Sequence, residues 1–369
     1  MFEDRIEAKW IDSFVRVFEA SKVQAGDDVA ILSETQSRNL KLQLCELALL
    51  RMGARPYHLM LPTPPQEFDM PVRSNGRTTC LQNIRPVVEL LASSALVVDN
   101  TVEGIQHTNE LREILERGTR VLHVMNDHPD VLERFAPDPL LKERVTTSVK
   151  MMRAAKAMRV TTEAGSDLTV DLTGAPIQGT WGFCDEPGHI DFWPGGMVAC
   201  FPAAGTVNGA IVIDVGDLNL TFKRYVESPI RLTFENDYIT AVEGEGVDAE
   251  LFKHYNEHWG DREAWAASHL GWGLNDKAHW EATTLYDKRD TNGGEQRCFA
   301  GNVLFSTGTN PAAGRETHGH YDIPLRGCTV TLDNTMVVDR GRVVESAIEA
   351  FVDEGKDAAR PEMLSTRYK

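Results

Sequence analysis

The chain has 369 residues, of which 42% are hydrophobic and 25% are charged, a composition typical of globular proteins. Its formal net charge of −17 argues against a surface that binds nucleic acid or an anionic membrane. The amino terminus lacks the basic and apolar segments of a signal peptide, and no apolar run approaches the length of a membrane span. We therefore expect a cytoplasmic protein with no nucleic-acid or membrane partner.

The first part of the chain alternates between helical and strand patterns. Apolar residues from Ile6 to Phe18 recur at helical spacing and predict an opening amphipathic helix. Strands are predicted at residues 28–32, 55–61, 95–99 and 120–124, and further helices at 40–50, 84–91, 110–117 and 139–158. Strands that are separated by helices indicate right-handed crossovers and a mostly parallel sheet.

The pattern becomes rich in strands after residue 158. Strands are predicted at 168–172, 198–201 and 209–215, in a hairpin at 230–242, and in a pair of strands at 329–344. One helix, at 249–259, interrupts them. We therefore expect an α/β domain at residues 1–158, forming one wall of a cleft, and a β-rich domain at 159–369. No phosphate-binding glycine loop and no Gly-x-Ser-x-Gly elbow is found in either part.

The segment from Thr317 to Leu325 carries the strongest chemical signal. If it is a strand, His320 and Asp322 project to the same side. They would supply two of the three ligands in the 2-His-1-carboxylate set that holds non-haem iron. His269, next to two glycines, is the best candidate for the third ligand, and His318 is its competitor. The alternative is a hydrogen-bonded or solvated His-x-Asp pair, which is common on strands.

Two further histidines are candidates for catalysis. His107 follows the third predicted strand, and the carboxyl ends of parallel strands are where such sheets place their ligands. It is expected to act as an acid or base across the cleft, or else to be a surface residue. His189 lies in a loop with several Gly and Pro residues, which predicts either a pocket wall or an ordered connector. His58, His123, His128, His254, His258 and His279 have no partner pattern and are read as structural or exposed.

Several motifs resemble a known family. The segments 268–274 and 320–326 resemble the two metal-ligand motifs of bacterial 2,5-dihydroxypyridine 5,6-dioxygenases, and 164–167, 185–188, 193–196, 213–217 and 304–308 resemble other parts of these enzymes. The resemblance implies Fe(II) held by His269, His320 and Asp322, with His107 as the base. It also implies O2 and a small N-heteroaromatic substrate, 2,5-dihydroxypyridine, opened between C5 and C6 to N-formylmaleamate, and a homo-oligomer.

The same family resembles the wider group of M29-like aminopeptidases, which implies their two-domain fold. Those peptidases need a glutamate ligand for a second metal, and Met197 stands at the matching position here. A thioether does not replace a bridging carboxylate for hard metals, so this difference favours a single-metal site. A metal-dependent amide or peptide hydrolase with the same three ligands is the alternative function. A metal-binding scaffold without activity is a third.

Overall fold

A computed structural model of the chain describes residues 5–65 and 76–357. The helices are α1 Ala8–Ala20, α2 Asn39–Arg51, α3 Arg85–Ala92, α4 Asn109–Glu116, α5 Pro129–Arg134, α6 Pro139–Ala154, α7 Gly246–His258, α8 Ala282–Leu285, α9 Gly294–Cys298 and α10 Glu345–Asp357. Three short 3-10 helices lie at Arg262–Trp265, Lys288–Asp290 and Pro311–Ala313. Within the described ranges, no helix is long and apolar enough to cross a membrane.

The strands form three larger sheets and one small ribbon. They are β1 Asp28–Glu34, β2 Arg55–Leu61, β3 Leu96–Asp99, β4 Arg120–Val124, β5 Ala157–Thr161, β6 Asp167–Asp171, β7 Ile177–Thr180, β8 Ile190–Trp193, β9 Met197–Cys200, β10 Val207–Ile213, β11 Leu218–Asn219, β12 Arg224–Tyr225, β13 Ile230–Glu235, β14 Tyr238–Glu243, β15 Ala267–Gly273, β16 Val303–Asn310, β17 Arg315–Leu325, β18 Thr329–Leu332, β19 Thr335–Asp339 and β20 Arg342–Val343.

The first sheet is parallel and has the strand order β2-β1-β3-β4-β8. Its core strands β1, β3 and β4 are almost continuously buried, as expected for a parallel sheet that is covered on both faces. The chain leaves β1 toward β2 and later returns to the other side of β1 to form β3. The sheet therefore has a topological switch point between β1 and β3, and the predicted parallel α/β part is confirmed.

The other sheets make the second part of the chain rich in strands, as predicted. One has eight strands in the order β14-β13-β10-β6-β5-β18-β19-β20, and one has five in the order β17-β16-β15-β9-β7. The predicted α/β and α+β fold class is thus confirmed. The prediction of a single helix in this part was wrong, because α8, α9 and α10 are also present. The prediction of two strands at 329–344 was also wrong, because β20 adds a third.

The predicted boundary near residue 158 is not a point at which the sheets divide. The helix predicted to reach residue 158 ends at Ala154, and β5 of the eight-stranded sheet begins at Ala157. Strand β8, which comes later in the chain, completes the first sheet by pairing with β4. One hydrophobic core also runs through both parts, with Phe14 of α1 packed against Trp193 of β8 at 4.8 Å between ring centroids. The division into two domains at 158 remains a prediction.

Candidate metal centre and active-site cavity

The segment predicted to carry two ligands is an extended strand. His320 and Asp322 both lie on β17 and are buried, and the Nε2 atom of His320 is 3.2 Å from Oδ1 of Asp322. They pair with Gly308 and Ser306 of β16. The alternation of side chains that brings them to one face is therefore the one expected from the sequence.

The regular pairing stops one residue before His320. Gly308 has a φ of 108°, a backbone conformation that favours glycine. A Cβ at this position would lie 1.9 Å from the carbonyl oxygen of Gly319. Beyond Gly308 the register slips, and Asn310 pairs with Arg315. His318, which lies in this irregular stretch, is not part of the ligand cluster described below.

His269 approaches the pair from strand β15, which lies on the other side of β16. Its Nε2 atom is 3.6 Å from Oδ1 of Asp322, and the possible ligand atoms of His269, His320 and Asp322 all lie within 4.8 Å of one another. Ligand atoms about 2.1 Å from a first-row metal and at right angles to each other are about 3 Å apart. Within residues 5–65 and 76–357, this is the group of three or more His, Cys, Asp or Glu side chains that is arranged to hold a metal ion.

A side-chain hydroxyl holds the backbone of each histidine in the cluster. The hydroxyl of Tyr255 in α7 donates to the carbonyl of His320 at 2.7 Å and accepts from its N–H at 2.9 Å. The hydroxyl of Ser306 donates to the carbonyl of His269 at 3.2 Å and accepts from its N–H at 3.1 Å. Each histidine is therefore anchored at the backbone, which limits the movement of its imidazole.

Arg297 of α9 orients the carboxylate of the cluster. Its Nε and Nη2 atoms both lie 2.9 Å from Oδ2 of Asp322, which leaves Oδ1 directed at the two histidines. Burial opposes ionisation of this carboxyl, but His320 and Arg297 outweigh it and hold the pKa of Asp322 well below its usual range. The loop before α9 is fixed in turn by the Asp127 carboxylate, which accepts the backbone N–H groups of residues 292–294.

The donor atoms of this cluster fit a metal ion. Nε2 of His320 and Oδ1 of Asp322 are buried and have no hydrogen-bond partner, although buried polar atoms normally have one. Burial lowers the pKa of His269 to about 4, so its imidazole is neutral near pH 7, as a ligand must be. A divalent ion would satisfy these atoms, and two imidazoles with one carboxylate are the set typical of non-haem iron sites with open positions.

His107 lies directly beside the cluster. Its ring centroid is 4.8 Å from that of His320, and its Nε2 atom is buried without a hydrogen-bond partner. Burial, and then the neighbouring His320 and His269, hold the pKa of His107 well below its usual value. His107 therefore lies beside the three-residue cluster, and its role as an acid or base remains a prediction.

A cavity of about 1370 Å³ joins these groups. His107, His189, His269 and Asp322 line it, and Phe201 adds an aromatic wall 5.6 Å from the His269 ring. His189 is stacked on Trp181 at 4.8 Å between centroids, and its Nε2 atom is 3.6 Å from a carboxylate oxygen of Asp191. The loop that carries His189 therefore forms part of the cavity wall.

Comparison with known proteins identifies the family. A family model described as 2,5-dihydroxypyridine 5,6-dioxygenase matches residues 9–345. A curated 2,5-dihydroxypyridine 5,6-dioxygenase of Pseudomonas putida KT2440 is 35% identical over 341 residues, which are 91% of this chain and 96% of the relative. The chain belongs to this family. Its members are ring-cleaving dioxygenases, and the resemblance seen in the sequence motifs is confirmed.

Solved structures agree with this assignment. The structure of 2,5-dihydroxypyridine dioxygenase from P. putida KT2440 matches with a TM-score of 0.86 and 33% identity, covering 92% of this chain and 98% of that one. Wild-type AmpT from Thermus thermophilus matches with a TM-score of 0.59 and 15% identity, covering 91% and 99%. The second match shows only the fold, and it confirms the predicted M29 aminopeptidase-like architecture.

Met197 begins β9 and lines the cavity of this family member. The three-residue cluster contains a single carboxylate, Asp322.

Sequence reasoning missed Arg297, Tyr255 and Ser306, because only the folded chain brings them to the cluster. It also left His123 without a partner, although this residue is buried and bonded to Asp99.

Proposed function

We propose that the chain holds Fe(II) with His269, His320 and Asp322 and opens 2,5-dihydroxypyridine between C5 and C6, using O2 and yielding N-formylmaleamate. The observation that carries the proposal is the buried cluster of two imidazoles and one carboxylate at the wall of the cavity. Its ligand set suits Fe(II) with open positions. Family membership supplies the class of substrate.

The proposed reaction needs no further reductant. The C5–C6 bond breaks, and both atoms of O2 enter the product, one at each of these carbons. The oxygen of the C5 hydroxyl becomes part of the new carboxylate, so the proton of this hydroxyl is the one that has to be removed. A ferrous ion, when bound, supplies the one-electron chemistry that allows O2 to react with the ring.

His107 is the residue that we propose takes the hydroxyl proton from the substrate. Its unpartnered Nε2 atom and the 4.8 Å separation of its ring from that of His320 support this role. The two oxygens of the substrate are para, so they do not chelate one ion together. The ring is thus expected to approach the cluster through the oxygen on C5, within reach of His107. Removing this proton raises the electron density of the ring.

His189 is proposed as a second catalytic residue. It lines the cavity and is held in position by stacking on Trp181 and by the nearby Asp191 carboxylate. An imidazole that is fixed in this way presents a constant polar edge to a substrate. Turnover should fall in His189→Ala while the iron content is retained, and loss of iron would contradict the role. The cytoplasmic location and the homo-oligomeric state remain predictions.

Oxygen uptake tests the function. Protein purified without oxygen, loaded with Fe(II) and mixed with 2,5-dihydroxypyridine should consume one equivalent of O2 for each ring. Hydrolysis of amides or peptides after loading with zinc, without oxygen uptake after loading with Fe(II), would support the hydrolase instead. His107→Ala should lower turnover and keep its iron, and His254→Ala, on the exposed side of α7, is the matched control. Loss of iron from His107→Ala would make His107 a ligand.

A further inference from the structure

Three strands of the parallel sheet end in buried polar side chains. Glu34 ends β1, Asp99 ends β3, and His123 is the next-to-last residue of β4. Burial of such groups costs free energy unless their partners are built around them. The switch point between β1 and β3 lies at this edge, and open α/β sheets bind ligands beyond the carboxyl ends of their strands at such points.

Asp99 is a carboxylate with a full set of donors. It is completely buried and accepts from the N–H of Thr101 at 2.9 Å, the Thr101 hydroxyl at 2.7 Å and the N–H of Ile105 at 3.1 Å. Its remaining contact is with Nδ1 of His123 at 2.8 Å. Because an ionised carboxylate only accepts hydrogen bonds, the nitrogen that faces Asp99, Nδ1, must carry a proton, and an imidazole with a single proton holds it there.

This arrangement leaves Nε2 of His123 as a hydrogen-bond acceptor. Within the part of the chain that the structure describes, Nε2 forms no hydrogen bond, while the side chain lines the cavity that contains His107 and His269. The ring is held edge-on against Phe192 at 5.7 Å between centroids. A Cβ at Gly104 would lie 3.2 Å from its Cε1 atom, so a residue larger than glycine at position 104 would crowd the imidazole.

His123 and His107 belong to the same wall of the cavity, with Gln106 between them. The Cβ position of Gly104 lies 3.6 Å from Oε1 of Gln106, on the side of His123. The Cβ position of Gly76 lies 2.1 Å from Nε2 of Gln106 and 2.9 Å from the ring of His107. In a ring that is bound next to His107 through its C5 oxygen, the ring N–H lies only two bonds from C5 and would face this same wall.

We propose that His123, oriented by Asp99, accepts a hydrogen bond from the ring N–H of the substrate in its 5-hydroxy-2-pyridone form. This inference rests on the proposed function. It makes His123 the residue that selects an N-heteroaromatic ring over a carbocyclic one, because hydroquinone offers no ring N–H. His107 then acts on the C5 hydroxyl, and His123 on the ring N–H that is bonded to C6.

Substitutions at residue 123 test the proposal in iron-loaded enzyme. His123→Leu should raise the KM for 2,5-dihydroxypyridine about tenfold, the equivalent of about 1.4 kcal/mol, with unchanged iron content and kcat within threefold of wild type. His123→Gln, whose amide oxygen reaches the position of Nε2, should restore most of the affinity. Asp99→Asn should also raise KM, because it no longer fixes the tautomer. His254→Gln, on the exposed side of α7, is the control.

Binding of simple ring compounds separates this proposal from the proposed function. Calorimetry without oxygen should show that His123→Leu lowers the affinity for 2-pyridone, which has the ring N–H, about tenfold. The affinity for phenol should stay unchanged. This result can be obtained even if the wild type consumes no O2. Equal affinity of wild type and His123→Leu for 2-pyridone would overturn the proposal. The proposal would also be overturned if His123→Leu and Asp99→Asn lost equal thermal stability and His123→Gln did not restore the affinity. His123 would then be only a structural support.

Discussion

The hydroxyl of Tyr255 offers a sharp test of how the cluster is held. Tyr255→Phe removes one oxygen and leaves both the N–H and the carbonyl of His320 without that partner. A buried backbone group that loses its partner costs about 1–3 kcal/mol, so the loss of two should lower the free energy of unfolding by about 2–6 kcal/mol. Loss of a group that positions a ligand lowers metal affinity by about 10–100-fold. The iron dissociation constant should therefore rise at least tenfold.

Two measurements are needed for this variant. Urea denaturation of the apoprotein gives the change in stability, and competition with a chelator without oxygen gives the iron dissociation constant. Tyr57→Phe is the matched control, because Tyr57 lies on the edge strand β2 and, among the described residues, its hydroxyl bonds to Ser94 alone, which keeps a bond to Leu90. Iron affinity equal to that of the wild type in Tyr255→Phe would refute the reasoning, whatever the change in stability.

Three further predictions concern the cluster and a buried carboxyl. His269→Ala and Asp322→Ala should abolish iron binding as measured by metal analysis, and His318→Ala should retain it; the reverse result would exchange the roles of the two histidines. Arg297→Met should raise the iron dissociation constant about tenfold, because Oδ2 of Asp322 loses both guanidinium contacts; unchanged affinity would contradict this. Burial raises the pKa of Asp217 from 3.8 to about 7, so the folded state keeps a proton that the unfolded chain releases. The free energy of unfolding should therefore fall as pH rises from about 4 to about 7, because ionising Asp217 becomes favourable in the unfolded chain first. Asp217→Asn should remove this pH dependence from urea titrations.

The sequence predicted the elements whose signal is local. Strands β1, β3 and β4 are short, buried apolar runs, and the alternation of strands and helices along the chain was enough to indicate a parallel sheet. Strand β8 was not predicted, since its four residues lie within a loop rich in Gly and Pro and pair only with the distant β4. The end of α6 was placed too late because the apolar pattern continues into β5 without a break.

In the candidate site, too, the sequence predicted the residues that local spacing relates and missed those that only the fold brings together. His320 and Asp322 were predicted together because alternation along one strand relates them, and their pairing follows from that alone. The irregularity at Gly308 depends on the neighbouring strand, so the sequence could not decide whether His318 shares their face. Arg297 and Tyr255 reach the cluster from separate helices, and no spacing in the sequence indicates such contacts.

The link between β8 and β9 is short and limits where the chain can be cut into two fragments. Residues 194–196 join the last strand of the parallel sheet directly to a strand of the five-stranded sheet. A gene fragment that stops near residue 158 would encode the parallel sheet without its fifth strand, and β4 would present an open edge to other chains. Fragments for split-protein complementation are better cut after β8, where the N-terminal piece keeps β3 and β8 as the partners of β4.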